Sequence, residues 1–486
     1  MPSALKHRGA LSWALYDWAN SAWATTVLAG FFPIFLKDYW GAGLEPAEST
    51  FRLGLTVSIA GLVVAFAAPV LGALADSGAM RKRLLLLFAG LGIMATLSLA
   101  AVGKGDWPTA LVLFALSNIG FLAANIFYDA LLINVSDSST VDMLSGLGFA
   151  LGYLGGGLLF AFNVVMTLHP DWFGLVDGAL VALSDQIASA TISFDDARQV
   201  VMALDGSHSS LQSILMNEGL SINHRLAAIT ELVEAARAWA IKFAFVSVGI
   251  WWCIWTLPLA FRVPECAEGA ATSLRAAVRQ GMEQLAGTVR AIRGMREIGL
   301  FLAAYWCYID GVNTVVVMAV DYGKNIGITT ADLITILLIV QFVAFPFAWA
   351  FGKWGQRYGT RRFLFVGIAV YLVVTVMARQ IDLEPWRLFG FSVHKFFVLA
   401  FLIGTVQGGV QALSRSFYAR LIPPEQAAEY FGFYNMVGKF AAVVGPTLIG
   451  SITLITGDPR TGVASIGLLF IGGLILLLKV REPKKA

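Results

Sequence analysis

Four side chains recur at one spacing in two distant parts of this 486-residue chain. Trp13, Asp17, Asn20 and Ser21 stand in the first apolar run, and Trp306, Asp310, Asn313 and Thr314 in a later one. Both sets follow W-x3-D-x2-N-[ST]. At about 100° per residue, these offsets place all four on one helix face. A carboxylate in the middle of a membrane helix costs roughly 2.5–3.5 kcal/mol, so each Asp must face protein or a wet cavity. There it can bind a cationic group, or take a proton in one hydration state and release it in another. Asn, Ser and Thr add neutral donors and acceptors, which suit a polar solute and equally suit bonding between helices. Two such faces predict a polar pathway between two related bundles, and hence a transporter.

Two further runs carry polar faces. Asn118, Asn125 and Asp129 share one face of the fourth, and Gln407, Gln411, Ser414 and Arg415 lie in the tenth. Arg415 stands at the repeat position of Asn125. A buried Arg can clamp a substrate carboxylate with two parallel bonds, or neutralise Asp129 or Asp310 as a static pair. Asp17 and Arg415 both lie near one end of their runs, which favours a gate over a central site. Lys439, one turn after Asn435, is a further ionisable group that snorkelling alone would explain. The candidates for substrate binding or proton coupling are therefore Asp17, Asn20, Ser21, Asn125, Asp129, Asp310, Asn313, Thr314, Gln411 and Arg415.

The elements that must position these groups follow from composition. The chain is 58% hydrophobic and 13% charged, half the charge of an average soluble domain of about 25%. It is an all-α, multi-pass membrane protein by this measure. A net charge of +3 gives no basic field for nucleic acid. Cys253, Cys266 and Cys307 are scattered, without a disulfide framework or CxxC site. No metal site or cofactor is expected. No cleavable signal peptide is expected; the sequence has no GxxxxGK[ST] loop for ATP-driven pumping and no nucleophile elbow or HExxH, so no enzyme is predicted.

Spans of about 20 apolar residues are needed to cross the hydrocarbon core. Twelve are expected, at 11–36, 53–75, 84–102, 108–133, 144–168, 240–261, 298–319, 333–352, 363–380, 396–418, 430–454 and 462–479. Lys and Arg cluster in the tail (Lys6, Arg8), the 2–3, 6–7 and 8–9 loops and the C-terminus, which puts both termini in the cytoplasm. The 4–5 loop, with Asp137 and Asp142, votes against. The expected organisation is a six-helix bundle over 1–261, a linker over 262–297 and a second six-helix bundle over 298–486. Ser273 is expected to cap an amphipathic helix in the linker, running to Arg293 beside anionic headgroups. Residues 169–239 form an extracytoplasmic insert with helix punctuation at Ser193, Gly206, Ser209, Gly219 and Ser221. Its last run is expected to extend span 6 outward as one long helix.

The repeat extends beyond the two Asp motifs. Phe127, Tyr128 and Leu131 match Phe417, Tyr418 and Leu421. Gly72-x3-Asp76 followed by Arg81, Lys82 and Arg83 matches Gly352-x3-Gln356 followed by Arg361 and Arg362. Gly146 and Gly152 match Gly432 and Gly438. The matches are collinear, as in transporters built from two parallel six-helix halves that rock about a midplane site.

Twelve spans in two parallel halves, with G-x3-D-x4-RKR after span 2, resemble the major facilitator superfamily. The resemblance implies that Gly72 allows close helix contact, while Asp76, Arg81, Lys82 and Arg83 latch the cytoplasmic side. It implies the same of Gly352, Arg361 and Arg362, although Gln356 stands where the pattern has an acid. Three stretches resemble one branch more closely: WALYDWANSAWATTVLAGFFPIF (13–35), YWCYIDGVNTVVVMAVDYG (305–323) and GGVQALSRSFYARLIPPEQAAEYFGFYNMVGKFAAVVGP (408–446). This branch is related to the autophagy-associated vacuolar amino-acid effluxer of fungi and has many bacterial members. The resemblance implies amino-acid transport.

The expectation is a monomeric, proton-coupled carrier of amino acids, short peptides or other small polar metabolites, in a bacterial plasma membrane. The alternatives are an exporter of lipids or drug-like amphiphiles, and a receptor or scaffold using the 169–239 cap.

Overall fold

The computed structural model describes residues 9–44, 46–77, 79–204, 208–265, 279, 283, 287, 295–325, 330–380, 386–388, 391–393, 395–441, 444–456 and 459–482. Apart from residues 279, 283 and 287, the expected linker helix from Ser273 to Arg293 lies outside the described residues, as do Lys6, Arg8, Gly78 and Gly206.

Eleven helices among the described residues are long and apolar enough to cross a membrane. In the first half these are α1 (Ala10–Trp40), α2 (Pro46–Ser77), α3 (Arg81–Ser98), α4 (Trp107–Leu131) and α5 (Val141–Leu168). Three short helices follow: α6 (Gly178–Ala188), α7 (Phe194–Met202) and α8 (Ser209–Met216). The sixth span is α9 (Ile222–Arg262). The second half continues with α10 (Arg296–Asn325), α11 (Thr330–Tyr358), α12 (Thr360–Arg379) and α13 (Lys395–Leu421). The span expected over 430–454 is divided into α14 (Ala427–Phe440) and α15 (Val444–Thr456), which supplies the twelfth crossing. The chain ends in α16 (Pro459–Ala464) and α17 (Gly467–Lys479). A two-stranded antiparallel ribbon before α13 was not foreseen: β1 (Trp386–Leu388) pairs with β2 (Phe391–Val393).

The ends of α1, α9 and α17 that lie near the α2–α3 and α11–α12 turns define one face, called here the basic side. The opposite face carries the 169–239 insert. That insert is a small helical cap with its own apolar core, in which Leu180, Leu183, Val201 and Leu215 pack on Ile229 and Val233 of α9. Ser193 accepts the Asp196 N–H at 3.2 Å and Ser221 the His224 N–H at 3.3 Å, so both start helices as N-caps. At 41 residues, α9 is about 60 Å long, twice the hydrocarbon thickness of about 30 Å. Its outer part is therefore a wall of the cap.

The repeat is visible where each half closes on itself. After α9, the Glu265 carboxylate accepts the Lys82 backbone N–H at 2.8 Å, and the Lys82 ammonium donates to the Val263 carbonyl at 3.1 Å. After α17, Glu482 accepts the Thr360 N–H at 2.8 Å, and Arg361 donates to the Val480 carbonyl at 2.6 Å. Each glutamate thus occupies the N-terminus of its half's third helix, where the helix dipole favours an anion. The V-x-E spacing is the same in both exit segments.

Glycine sets how closely α3 and α4 approach. A Cβ on Gly120 would lie 2.5 Å from the Gly92 amide nitrogen and 2.6 Å from the Phe88 carbonyl oxygen, whereas one on Gly90 would meet open space. Overpacking of this kind costs about 1–3 kcal/mol. Gly120→Val is expected to lower the melting temperature in a detergent thermal-shift assay, and Gly90→Val to leave it in place.

Candidate functional site

The junction of the halves is built around the Arg415 side chain of α13. Its Nη1 donates to Asp129 Oδ1 on α4 at 3.2 Å and lies 3.6 Å from Asp17 Oδ2 on α1. Nε donates to Ser145 Oγ at 2.9 Å and Nη2 to the Ser145 carbonyl at 3.1 Å, both on α5. Trp13, Tyr128 and Phe149 surround the guanidinium, their ring centroids 4.9, 5.3 and 4.3 Å from its carbon. Only 3% of Arg415 is exposed. One cation of the second half is thus held by two carboxylates, one hydroxyl and three rings of the first. Removing one member of a buried ion pair typically costs 3–5 kcal/mol, because the other charge is left without compensation.

Each carboxylate has further support. Tyr128 Oη donates to Asp17 Oδ2 at 3.0 Å, and Ser21 Oγ makes a long 3.4 Å bond to Oδ1. Trp13 Nε1 donates to the Tyr128 carbonyl at 2.8 Å while the two rings stack at 4.4 Å. Asn435 on α14 donates to Asp129 Oδ2 at 3.2 Å, and Lys439, one turn on, adds an electrostatic interaction with Asp129. Just deeper in the bundle, Asn20 Nδ2 donates to Asn125 Oδ1 at 2.7 Å. Tyr153 on α5 donates to Gln411 Oε1 at 3.1 Å, and Gln341 on α11 to Thr25 Oγ1 at 2.6 Å. Ser21, Asn125 and Gln411 are half-buried.

The second copy of the motif is arranged differently. Asp310 is wholly buried and accepts the Gly445 N–H at 3.0 Å and the Thr314 hydroxyl at 3.3 Å. It does not meet Arg415. The position matching Arg415 in the first half is Asn125, so no guanidinium is available to Asp310 by symmetry. Asn313 is half-buried one turn away. Sequence spacing places the two Asp faces alike; the structure separates their partners.

Toward the basic side the halves are held by two further clusters. Asp76 on α2 accepts the Ala428 and Glu429 N–H groups at 3.2 and 2.9 Å, at the start of α14. Arg81 pairs with Asp76 at 2.7 Å and donates to the Pro424 and Glu425 carbonyls at 2.9 and 3.1 Å. Gly72 makes room, since a Cβ there would fall on the Ala428 carbonyl group. Lys82 instead binds its own half, and Arg83 is exposed. In the second copy Gly352 packs against Gly146, and Gln356 donates to the Ser139 carbonyl. Arg361 stays within its half, and Arg362 is exposed.

Sequence reasoning missed the ionic part of that second contact. Arg420 on α13 pairs with Asp142 on α5 at 2.7 Å, with both side chains buried. Ser416 donates to Asp142 Oδ1 at 2.5 Å and Thr360 to Oδ2 at 2.8 Å; Arg420 also bonds the Thr360 hydroxyl. Asp142 looked like one more loop acid, and Arg420 has no charged counterpart at its repeat position. The available signal was the lack of an acid at Gln356, which leaves the second contact without a charge of its own. Either Asp142→Asn or Arg420→Gln alone is expected to cost about 3 kcal/mol, and the double variant less than their sum. Melting temperatures of the three variants check this.

An apolar groove on the outer side of α11 and α13, lined by Leu338, Ile339, Phe342, Val343, Pro346 and Phe401, contains none of these charged groups. The model for the family described as "Vacuole effluxer Atg22 like" matches residues 42–137 and 219–486. The uncharacterized MFS-type transporter YxiO of Bacillus subtilis (strain 168) is 32% identical, over 97% of this chain and 94% of that protein. Autophagy-related protein 22 of Gibberella zeae is 24% identical, over 98% of this chain and 80% of the relative. The proton:xylose symporter XylE superposes with a TM-score of 0.62 at 12% identity, covering 98% of this chain and 95% of its own. The human organic anion transporter MFSD10 gives 0.61 at 12% identity, covering 98% and 100%. Two homologous halves meeting across buried ion pairs, together with these matches, establish that the chain belongs to the Atg22-like vacuole effluxer family of major facilitator transporters.

Proposed function

We propose that this transporter moves small zwitterionic metabolites, amino acids or short peptides, by alternating access coupled to protons. The observation that carries this reading is Arg415 between Asp17 and Asp129 at the junction of the halves. A guanidinium offers two parallel donors to a carboxylate, and the two Asp side chains offer acceptors to an ammonium. A zwitterion can therefore replace both members of the interhalf pair at once. The charges that hold the halves together are then compensated by solute, so separating the halves leaves none bare. Half-buried Asn125, Ser21 and Gln411 lie deeper along the same route and suit the remaining polar groups of the solute.

Because Asp17 lies seven residues into α1, about 10 Å from the basic side, the ion pair acts as the inner gate. The Asp76–Arg81 and Asp142–Arg420 clusters are the latches beneath it. In this reading the basic side is cytoplasmic, as the Lys and Arg distribution indicates, and the monomer works in a bacterial plasma membrane. Resemblance to Atg22 relatives supports amino acids as cargo; proton-coupled neighbours such as XylE support protons as the driving ion.

A second reading, export of lipid-like amphiphiles, is favoured by the apolar groove along α11 and α13. Counterflow in proteoliposomes separates the two. Labelled amino acids and dipeptides are expected to exchange through the wild type, and Arg415→Gln to reduce exchange about tenfold or more. Exchange of a labelled amphiphile, with none of amino acids or dipeptides, would favour the second reading.

A further inference from the structure

Asp310 sits where the twelve-helix framework is discontinuous. It lies fourteen residues into the 30-residue α10, about 21 Å along that helix from its start. Helix α14 ends at Phe440 with Ala441 in a turn, and α15 is described from Val444, so the described part of the eleventh span presents a second helix N-terminus. The Asp310 carboxylate occupies that N-terminus: it accepts the Gly445 N–H at 3.0 Å and the Val444 N–H. Only glycine permits this, since a Cβ on Gly445 would stand 2.9 Å from Asp310 Oδ1 and would also strike Thr314. The other oxygen, Oδ2, is buried and has no hydrogen-bond partner among the described residues.

No fixed cation compensates this group among the described residues. Cys307 is the titratable residue facing it from its own helix. Helix α15 has no titratable residue. Helix α17 faces this stretch of α10 with Phe470, and its Lys479 is at the far end. Helices α13 and α14 meet α10 through Ser414 with Tyr308 and Tyr434 with Tyr305. On α11, Lys353 and Arg357 lie over Trp349 and Tyr358 toward the basic side. Asp17, by contrast, has an arginine beside it.

We propose that Asp310 is the residue that carries the coupling proton, and that it does so by gripping and releasing the N-terminus of α15. The proposal rests on the proton-coupled reading above. As a carboxylate, Asp310 is stabilised by two backbone N–H groups and the positive end of the α15 dipole. Uptake forms the Oδ2–H bond with a proton from hydronium on the wetted side, and the charge that held α15 is lost. Release returns the proton to water on the other side and restores the grip. Neither form satisfies every polar group, because Oδ2 has no partner among the described residues; a change in hydration is therefore enough to tip it. The binding charges at Arg415 and the coupling charge at Asp310 are separate groups, linked through helices α10, α13 and α14.

The isosteric variant Asp310→Asn keeps the acceptor and removes the charge. In proteoliposomes it should lose accumulation driven by a pH gradient by about tenfold or more, while counterflow, which needs no net proton movement, persists. Full gradient-driven accumulation in the variant would overturn the proposal, and so would loss of both activities together. Should the wild type show no counterflow of amino acids or dipeptides, the substrate reading fails and infrared spectroscopy still decides the proton site. A carboxylic-acid C=O band that fades with rising pH in the wild type, shifts in Thr314→Val and is missing in Asp310→Asn supports it. A wild type without any such band contradicts it.

Discussion

A guanidinium buried between halves of a membrane protein has to be neutralised wherever it goes. Arg415 belongs to α13, yet every group that satisfies it in this packing, from Asp17 and Asp129 to Ser145 and the three rings, belongs to the other half. The halves therefore cannot part at this level without leaving charge bare, in a region where an unpaired charge is worth several kcal/mol. Helix packing here is tight but replaceable. The ionic requirement is what makes separation conditional on a solute, a proton or water taking over.

The contacts beneath this pair divide the task unequally. On one flank a carboxylate of α2 caps the start of α14, with Arg81 bound to the same acid and to the preceding carbonyls. On the other, the corresponding turn offers only a neutral amide from Gln356, and the charge comes from Asp142 and Arg420 instead. The two halves are alike in pattern, yet their ionic contacts are made from different helices. The exit segments did not diverge in this way. Glu265 and Glu482 hold the third helix of each half in the same manner.

Much of this was legible in the sequence because membrane helices have a strong and simple signature. Nine of the expected spans needed only small changes at their ends, and the twelfth carries a turn at Ser465–Ile466. The sixth was lengthened by the cap, and the eleventh is divided near its middle. The long α9 could be read from Ser221 and the periodicity after it. Glycine pairs announced close helix approaches. Partner choice was not legible, because helical spacing gives the face of a residue and not which helix lies opposite. The matched Asp17 and Asp310 motifs illustrate this: one meets an arginine from the other half and the other meets backbone N–H groups in its own. Nor did the sequence foresee the β1–β2 ribbon, whose residues Trp386–Val393 carry Gly390 between two short strands. The basic residues of the two loops behaved unevenly for a physical reason. Arg81 is buried against carbonyls across the junction, whereas Lys82 and Arg361 find their nearest acceptors within their own half.

In the proposed mechanism, buried charge at Arg415 governs whether the basic side is closed. Arg83 and Arg362 are exposed on opposite halves of that side, so cysteines placed there can carry spin labels without disturbing the gate. Pulsed electron–electron distance measurements in nanodiscs would then compare the native gate with Arg415→Gln. One short distance is predicted for the native gate, with a second, longer population when arginine is replaced or a transported zwitterion is added. An unchanged single distance in all three conditions would contradict the account.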